Sequence, residues 1–157
     1  MRIAAAFIAV VLLGSAPFGS SLAQRGLAPP RVKVQSLEPL PSPDGEQRFR
    51  ISLLFDNMST EPLKIKSIEF KLRLADQGII DGAAGAMVLE ALDQQTLTVE
   101  ASSEIVSSVS RLMSFTEGPD NTLAYEIFGK LTMERFRMEP LEFGGQGRAP
   151  LVLPSER

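Results

Sequence analysis

The sequence predicts an all-β chain, with room for one short helix, folded as an antiparallel β-sandwich of about seven strands. Three observations carry this. Arg48 to Leu74 reads as two alternating strands joined by Asp56-Asn57-Met58-Ser59-Thr60-Glu61-Pro62. Leu123 to Met133 alternates equally cleanly. Turn-forming clusters recur at the spacing of an immunoglobulin/fibronectin-III-like sandwich.

Each element follows from its own residues. Val32, Val34 and Leu37 make a short first strand with Arg31, Lys33 and Gln35 outward, and Glu38 to Glu46, with three prolines and a glycine, reads as a loop. Phe49, Ile51, Leu53 and Phe55 line one face of the second strand. In the third, Ile65 and Ile68 differ in parity, so a strand through both needs a β-bulge near Lys66-Ser67 to keep both inside. Asp76-Gln77-Gly78 is a turn, Ile79-Ile80 a short strand, and Gly82 to Gly85 a break. Ala86 to Leu92 reads as a strand, as does Gln95 to Ala101. Ser103 to Leu112 reads as a strand. Val106, Val109 and Leu112 are three apart, however, so a helix from about Ser102 is the alternative. Gly129, inside the Leu123–Met133 strand, marks a bulge or a close approach of backbone. Phe136 to Phe143 is a last strand whose Pro140 suits a sheet edge.

The ends are assigned separately. Residues 1–23 have the layout of a secretory signal peptide, with Arg2, an apolar run from Ile3 to Leu13, and Ser21-Leu22-Ala23 before a cut. The run is too short for a membrane span, which needs about 20 residues. No cysteine follows it, so a lipoprotein anchor is excluded and the exported chain is expected to be periplasmic or secreted. Residues 24–30 form a flexible leader, 31–144 the domain, and 145–157, beginning in the Gly144–Gly147 run, a loosening tail.

Composition narrows the function classes. The net charge of −3 does not suggest a nucleic-acid partner. With no cysteine and no histidine there is no thiolate nucleophile, imidazole base or Cys-zinc site. Without tryptophan and with one tyrosine, a stacked-aromatic ligand platform is not expected. No GxSxG or SxxK motif occurs, and Asp76 to Gly82 lacks the alternating oxygens of a calcium loop. The chain is therefore expected to be no enzyme, with no cofactor, metal or small-molecule substrate.

The order of elements resembles the late-embryogenesis-abundant group 2 family, also called the water-stress and hypersensitive-response (WHy) domain. The matching pieces are Arg31–Leu37, Arg48–Asn57, Glu61-Pro62-Leu63-Lys64-Ile65, Ile68–Leu74, the polar run Glu100–Arg111, and a "Y-x-x-x-G-x-L" strand supplied by Tyr125, Gly129 and Leu131. Asp56-Asn57-Met58-Ser59 stands where members usually carry Asn-Pro-Asn, so Asn57 fits that motif. The resemblance implies a non-catalytic stress-protection module that shields client proteins or membrane surfaces during desiccation or freezing. Asn57, Tyr125 and Gly129 are its family-motif structural residues.

One surface stands out as a candidate contact. Arg48, Arg50, Lys71 and Arg73 would share an outward face if their strands lay side by side. From Leu74 to Ser110 there are six carboxylates and no basic residue. A basic face can dock on anionic lipid headgroups, although an ordinary solvated face has the same composition. Asn57-Met58-Ser59 is also a glycosylation sequon. The alternatives to the protective reading are a cell-envelope adaptor or chaperone that binds by strand addition, with Phe136 to Phe143 as its candidate edge, and an anionic-lipid-binding module.

Overall fold

The computed structural model describes residues 27–41, 46–75, 78–103 and 109–153. Residues 1–23, read from the sequence as a signal peptide, and residues 154–157 lie outside them. Eight strands form one strongly curved antiparallel system: β1 (Arg31–Leu40), β2 (Gln47–Asp56), β3 (Leu63–Leu74), β4 (Gly78–Ala84), β5 (Met87–Leu89), β6 (Gln94–Ser103), β7 (Thr122–Met133) and β8 (Leu141–Pro150). One short helix, α1 (Val109–Met113), precedes β7. The strand order is β1-β2-β6-β4-β3-β7-β8, with β5 pairing β3 beyond the end of β4. The result is a sandwich close to a closed barrel.

Period-two burial fixes which side chains face inward. Phe49, Ile51, Leu53 and Phe55 of β2 are fully buried, as are Leu63, Ile65, Ile68, Leu72 and Leu74 of β3. The parity change in β3 is resolved as the sequence requires: the register with β7 shifts between Ile65 and Ser67, and both isoleucines stay inside. A second shift lies in β1 between Val34 and Ser36, which keeps Val34 and Leu37 both buried.

A row of alternating glycine and phenylalanine crosses four strands on the inner face. Gly82, Phe70, Gly129 and Phe143 are successive cross-strand partners. The Phe70 ring covers Gly82, the Phe143 ring covers Gly129, and Phe143 meets Phe55 edge-on at 6.0 Å between centroids. The aromatic rings fill the space that side chains on the glycines would occupy.

Several elements depart from the sequence reading. β1 continues through Glu38, Pro39 and Leu40, where a loop was expected. Pro39 is buried there, and its missing N–H is tolerated because β1 pairs with β2 on one side only. β4 runs through Gly82 to Ala84 instead of breaking at Gly82, because Phe70 covers that glycine. Among the described residues of the expected Ser103–Leu112 strand, only Ser103 is extended, as the last residue of β6; Val109–Met113 is helical with Leu112 buried, so the helical alternative holds there. Residues 104–108 lie outside the described residues.

Phe136 belongs to no strand. It sits in the β7–β8 turn and is 88% exposed, while the last strand begins at Leu141. The Gly144–Gly147 run, read as the start of a tail, lies inside β8. Its glycines have a packing reason, since a Cβ on Gly145 would sit 2.6 Å from the Val32 carbonyl oxygen of β1. This close approach draws β8 against β1. The Val152 N–H then donates to the Leu37 carbonyl at 2.7 Å, and Leu37 and Leu151 form a parallel bridge.

Candidate functional site

The four candidate cations do not share one face. Arg48 and Arg50 project from β2, Lys71 and Arg73 from β3, and β6 and β4 lie between those strands. Adjacent positions in the sequence are thus divided between two outward surfaces.

Each cation also has a carboxylate partner on a neighbouring strand. Arg48 donates to Glu100 of β6 at 2.7 Å. Arg50 bridges Glu38 of β1 at 3.0 Å and Glu100 at 3.4 Å. The hydrogen bond and charge of Glu38, and then those of Glu100, hold the Arg50 guanidinium above its already high ordinary pKa. Lys71 pairs with Asp81 of β4 at 2.7 Å and Arg73 with Glu126 of β7 at 2.6 Å. The run of carboxylates from Leu74 to Ser110 is therefore partly the counter-charge of the basic strands, brought opposite them by the strand order. These are exposed cross-strand pairs, a class that adds at most about 1 kcal/mol each.

The three motif residues occupy structural positions. Asn57 is 1% exposed, although its side chain is polar. Its Nδ2 lies 2.9 Å from the Glu61 carbonyl, 3.0 Å from that of Glu90 and 3.3 Å from that of Leu89. Its Oδ1 accepts the Ser59 N–H at 3.0 Å, and its own backbone N–H donates to the Asp93 carbonyl. One amide thus ties the β2–β3 connection to the β5–β6 turn. Because that nitrogen is buried and engaged, the folded sequon offers no acceptor for a glycan.

Tyr125, on β7, reaches across to β1 and accepts the Val34 N–H at 3.1 Å. Gly129 is a site of close approach rather than a bulge. A Cβ there would collide with the Glu69 carbonyl oxygen and come within 2.6 Å of the Phe143 ring, while the register through Phe70 is unbroken.

A shallow groove of about 550 Å³ runs along the outer side of β4, β3 and β7. Its ionisable groups are Glu69, Lys71, Asp81 and Lys130, with half-exposed Phe128 beside them. Lys71 and Asp81 are bound to each other, so the groove presents an ion pair and an aromatic edge. Among the described residues no cluster of acidic side chains is placed to hold a metal ion.

No protein-family model matches the chain, and no curated protein does. Solved structures do. The solution structure of AT1g01470 from Arabidopsis thaliana is 15% identical, with 83% of this chain and 87% of that one covered and a TM-score of 0.55. That likeness establishes a shared fold. Two others are more distant. One is the solution structure of At2g46140.1, described as a late embryogenesis abundant protein, at 17% identity, with 85% and 76% covered and a TM-score of 0.45. The other is a crystal structure of a protein from Archaeoglobus fulgidus, at 12% identity, with 78% and 100% covered and a TM-score of 0.40.

Proposed function

We propose that this chain is a non-catalytic, exported stress-protection module of the late-embryogenesis-abundant group 2 type, shielding proteins or membrane surfaces during water loss or freezing. The observation that carries the proposal is the placement of Asn57, Tyr125 and Gly129. They tie two loops together, link β7 to β1, and let β3, β7 and Phe143 close up. The residues that carry the family resemblance are thus keystones of a fold shared with AT1g01470.

The proposed mechanism is weak, many-point contact by a hydrated, charge-paired surface. Exposed alternating charges bind water strongly and resist aggregation. The test is protection of a labile enzyme through freeze–thaw cycles. The chain should preserve more activity than an equal mass of albumin, and equal protection would sink the proposal.

A strand-adding adaptor is the second reading. The Phe136–Phe143 edge is not available for it, since Phe136 lies in a turn and β8 packs on β1. Among the described residues a different edge, that of β6, is open towards its turn. The lipid-binding reading has less support, because its four cations fall in two separate couples and each is already neutralised.

A further inference from the structure

The barrel is closed at one corner and open at another. β1 and β8 meet through Val32–Gly145 and Leu37–Val152 contacts. At the opposite corner the β4/β5 arm and β6 form a hairpin about the turn at Glu90–Asp93, yet each arm pairs mainly with a different strand. β5 pairs with β3 and β6 pairs along its whole length with β2. Among the described residues the two arms share one bridge, Asp81 with Ser102. Continued towards the turn, that register would set Val88 against Gln95, but no such pair forms.

The seam leaves two kinds of group unused. Among the described residues no strand pairs with the outer edge of β6 from Gln94 to Val99, and that edge carries none of the lysines or prolines that guard natural edges. Apolar side chains are exposed along the gap: Val88 at 44% and Leu92 at 68%. Leu97 packs against the core but is only partly buried, whereas its cross-strand partner Leu53 is fully buried. Leu92 has a φ of 54°, a conformation that favours glycine or asparagine. The chain therefore holds a leucine where neither local geometry nor burial asks for one. Glu90 and Asp93 flank it, and among the described residues neither is in an ion pair.

We infer that this seam receives an extended, basic and apolar segment of another polypeptide, added as a strand on β6. The free ladder edge would supply main-chain hydrogen bonds. Alternate apolar side chains of the segment would cover Leu97, and basic ones would face Glu90 and Asp93. The inference names the partner class of the strand-adding reading and rests on it.

The probe is a fluorescein-labelled nine-residue peptide alternating valine and lysine, followed by anisotropy and by backbone amide NMR of the full chain. Micromolar binding is expected, with the shifts confined to Gly85–Leu89 and Gln94–Glu100. The matched valine–glutamate peptide should bind at least about tenfold more weakly. Reversing both charges, with Glu90→Lys and Asp93→Lys, should cost the lysine peptide about tenfold. Leu92→Asn should weaken binding while leaving the chain folded and at least as stable, which separates contact from misfolding. No binding at millimolar peptide, or shifts elsewhere, overturns the inference. So do amide shifts at Gln94–Val99 that depend on protein concentration alone, because a second copy then fills the seam. A stoichiometric partner captured from envelope extract whose binding survives the double reversal overturns the seam and leaves the adaptor reading standing. An extract that yields no such partner removes the adaptor reading itself.

Discussion

The hydroxyl of Tyr125, the chain's one tyrosine, accepts the backbone N–H of Val34 at 3.1 Å. Val34 stands beside the β1 register shift, and both residues are buried. A buried amide without a partner costs about 1–3 kcal/mol. Tyr125→Phe removes the acceptor and keeps the ring, so stability should fall by that amount. Urea unfolding followed by far-UV circular dichroism measures it, since the chain has no tryptophan. An unchanged midpoint would mean that water reaches Val34.

Gly129 should tolerate no side chain. The alanine methyl would meet a main-chain oxygen of β3 and the Phe143 ring together, and backbone cannot step aside as a flexible side chain does. Overpacking of this kind costs about 1–3 kcal/mol, occasionally more. Gly85 is the control. It is exposed, and a methyl group there would meet nothing within 4 Å, so Gly85→Ala should be neutral or gain up to about 1 kcal/mol. Similar losses at both positions would refute the close-approach argument.

What the sequence discloses depends on whether a signal is local. The bulge in β3 is legible because Ile65 and Ile68 cannot both be buried without it. The β8 glycines are not, because a residue without a side chain leaves no alternating pattern, and their reason lies on β1. The strand at Pro39 is hidden for a similar reason: proline signals a loop unless the strand is known to have a free side. The four cations were readable as outward-facing, but not as two separate couples. That division follows from β6 and β4 lying between β2 and β3, a matter of tertiary order that no local pattern encodes. The open seam was equally invisible, being a pairing that does not occur.

Asn57 gives a prediction with a pH signature. Asn57→Ala strips donors from the Glu61 and Glu90 carbonyls and should cost about 2–3 kcal/mol. Asn57→Asp should cost more at neutral pH, because a buried carboxylate would face carbonyl oxygens. Burial and those oxygens raise the folded-state pKa of the introduced acid above its unfolded value. The folded chain then binds more protons than the unfolded one, so stability falls as pH rises through that range. Relative to the parent at each pH, Asn57→Asp should recover on acidification and Asn57→Ala should not. Parallel pH profiles for the two variants would exclude a buried charge at this position.

Lys71 and Asp81 test how much the charge-paired surface contributes to folding. Their side chains are 53% and 70% exposed, and they meet at 2.7 Å across β3 and β4. Exposure keeps the effective dielectric high, so a short distance does not translate into a large energy. A double-mutant cycle with Lys71→Ala and Asp81→Ala should give a coupling of about 0.2–1 kcal/mol. In 1 M salt, where the screening length falls to about 3 Å, it should shrink towards zero. A coupling of several kcal/mol, or one indifferent to salt, would show that the pair is a structural clamp. A small, screened coupling would fit a surface whose alternating charges serve hydration and solubility, as the protective reading requires, at little consequence for the stability of the fold.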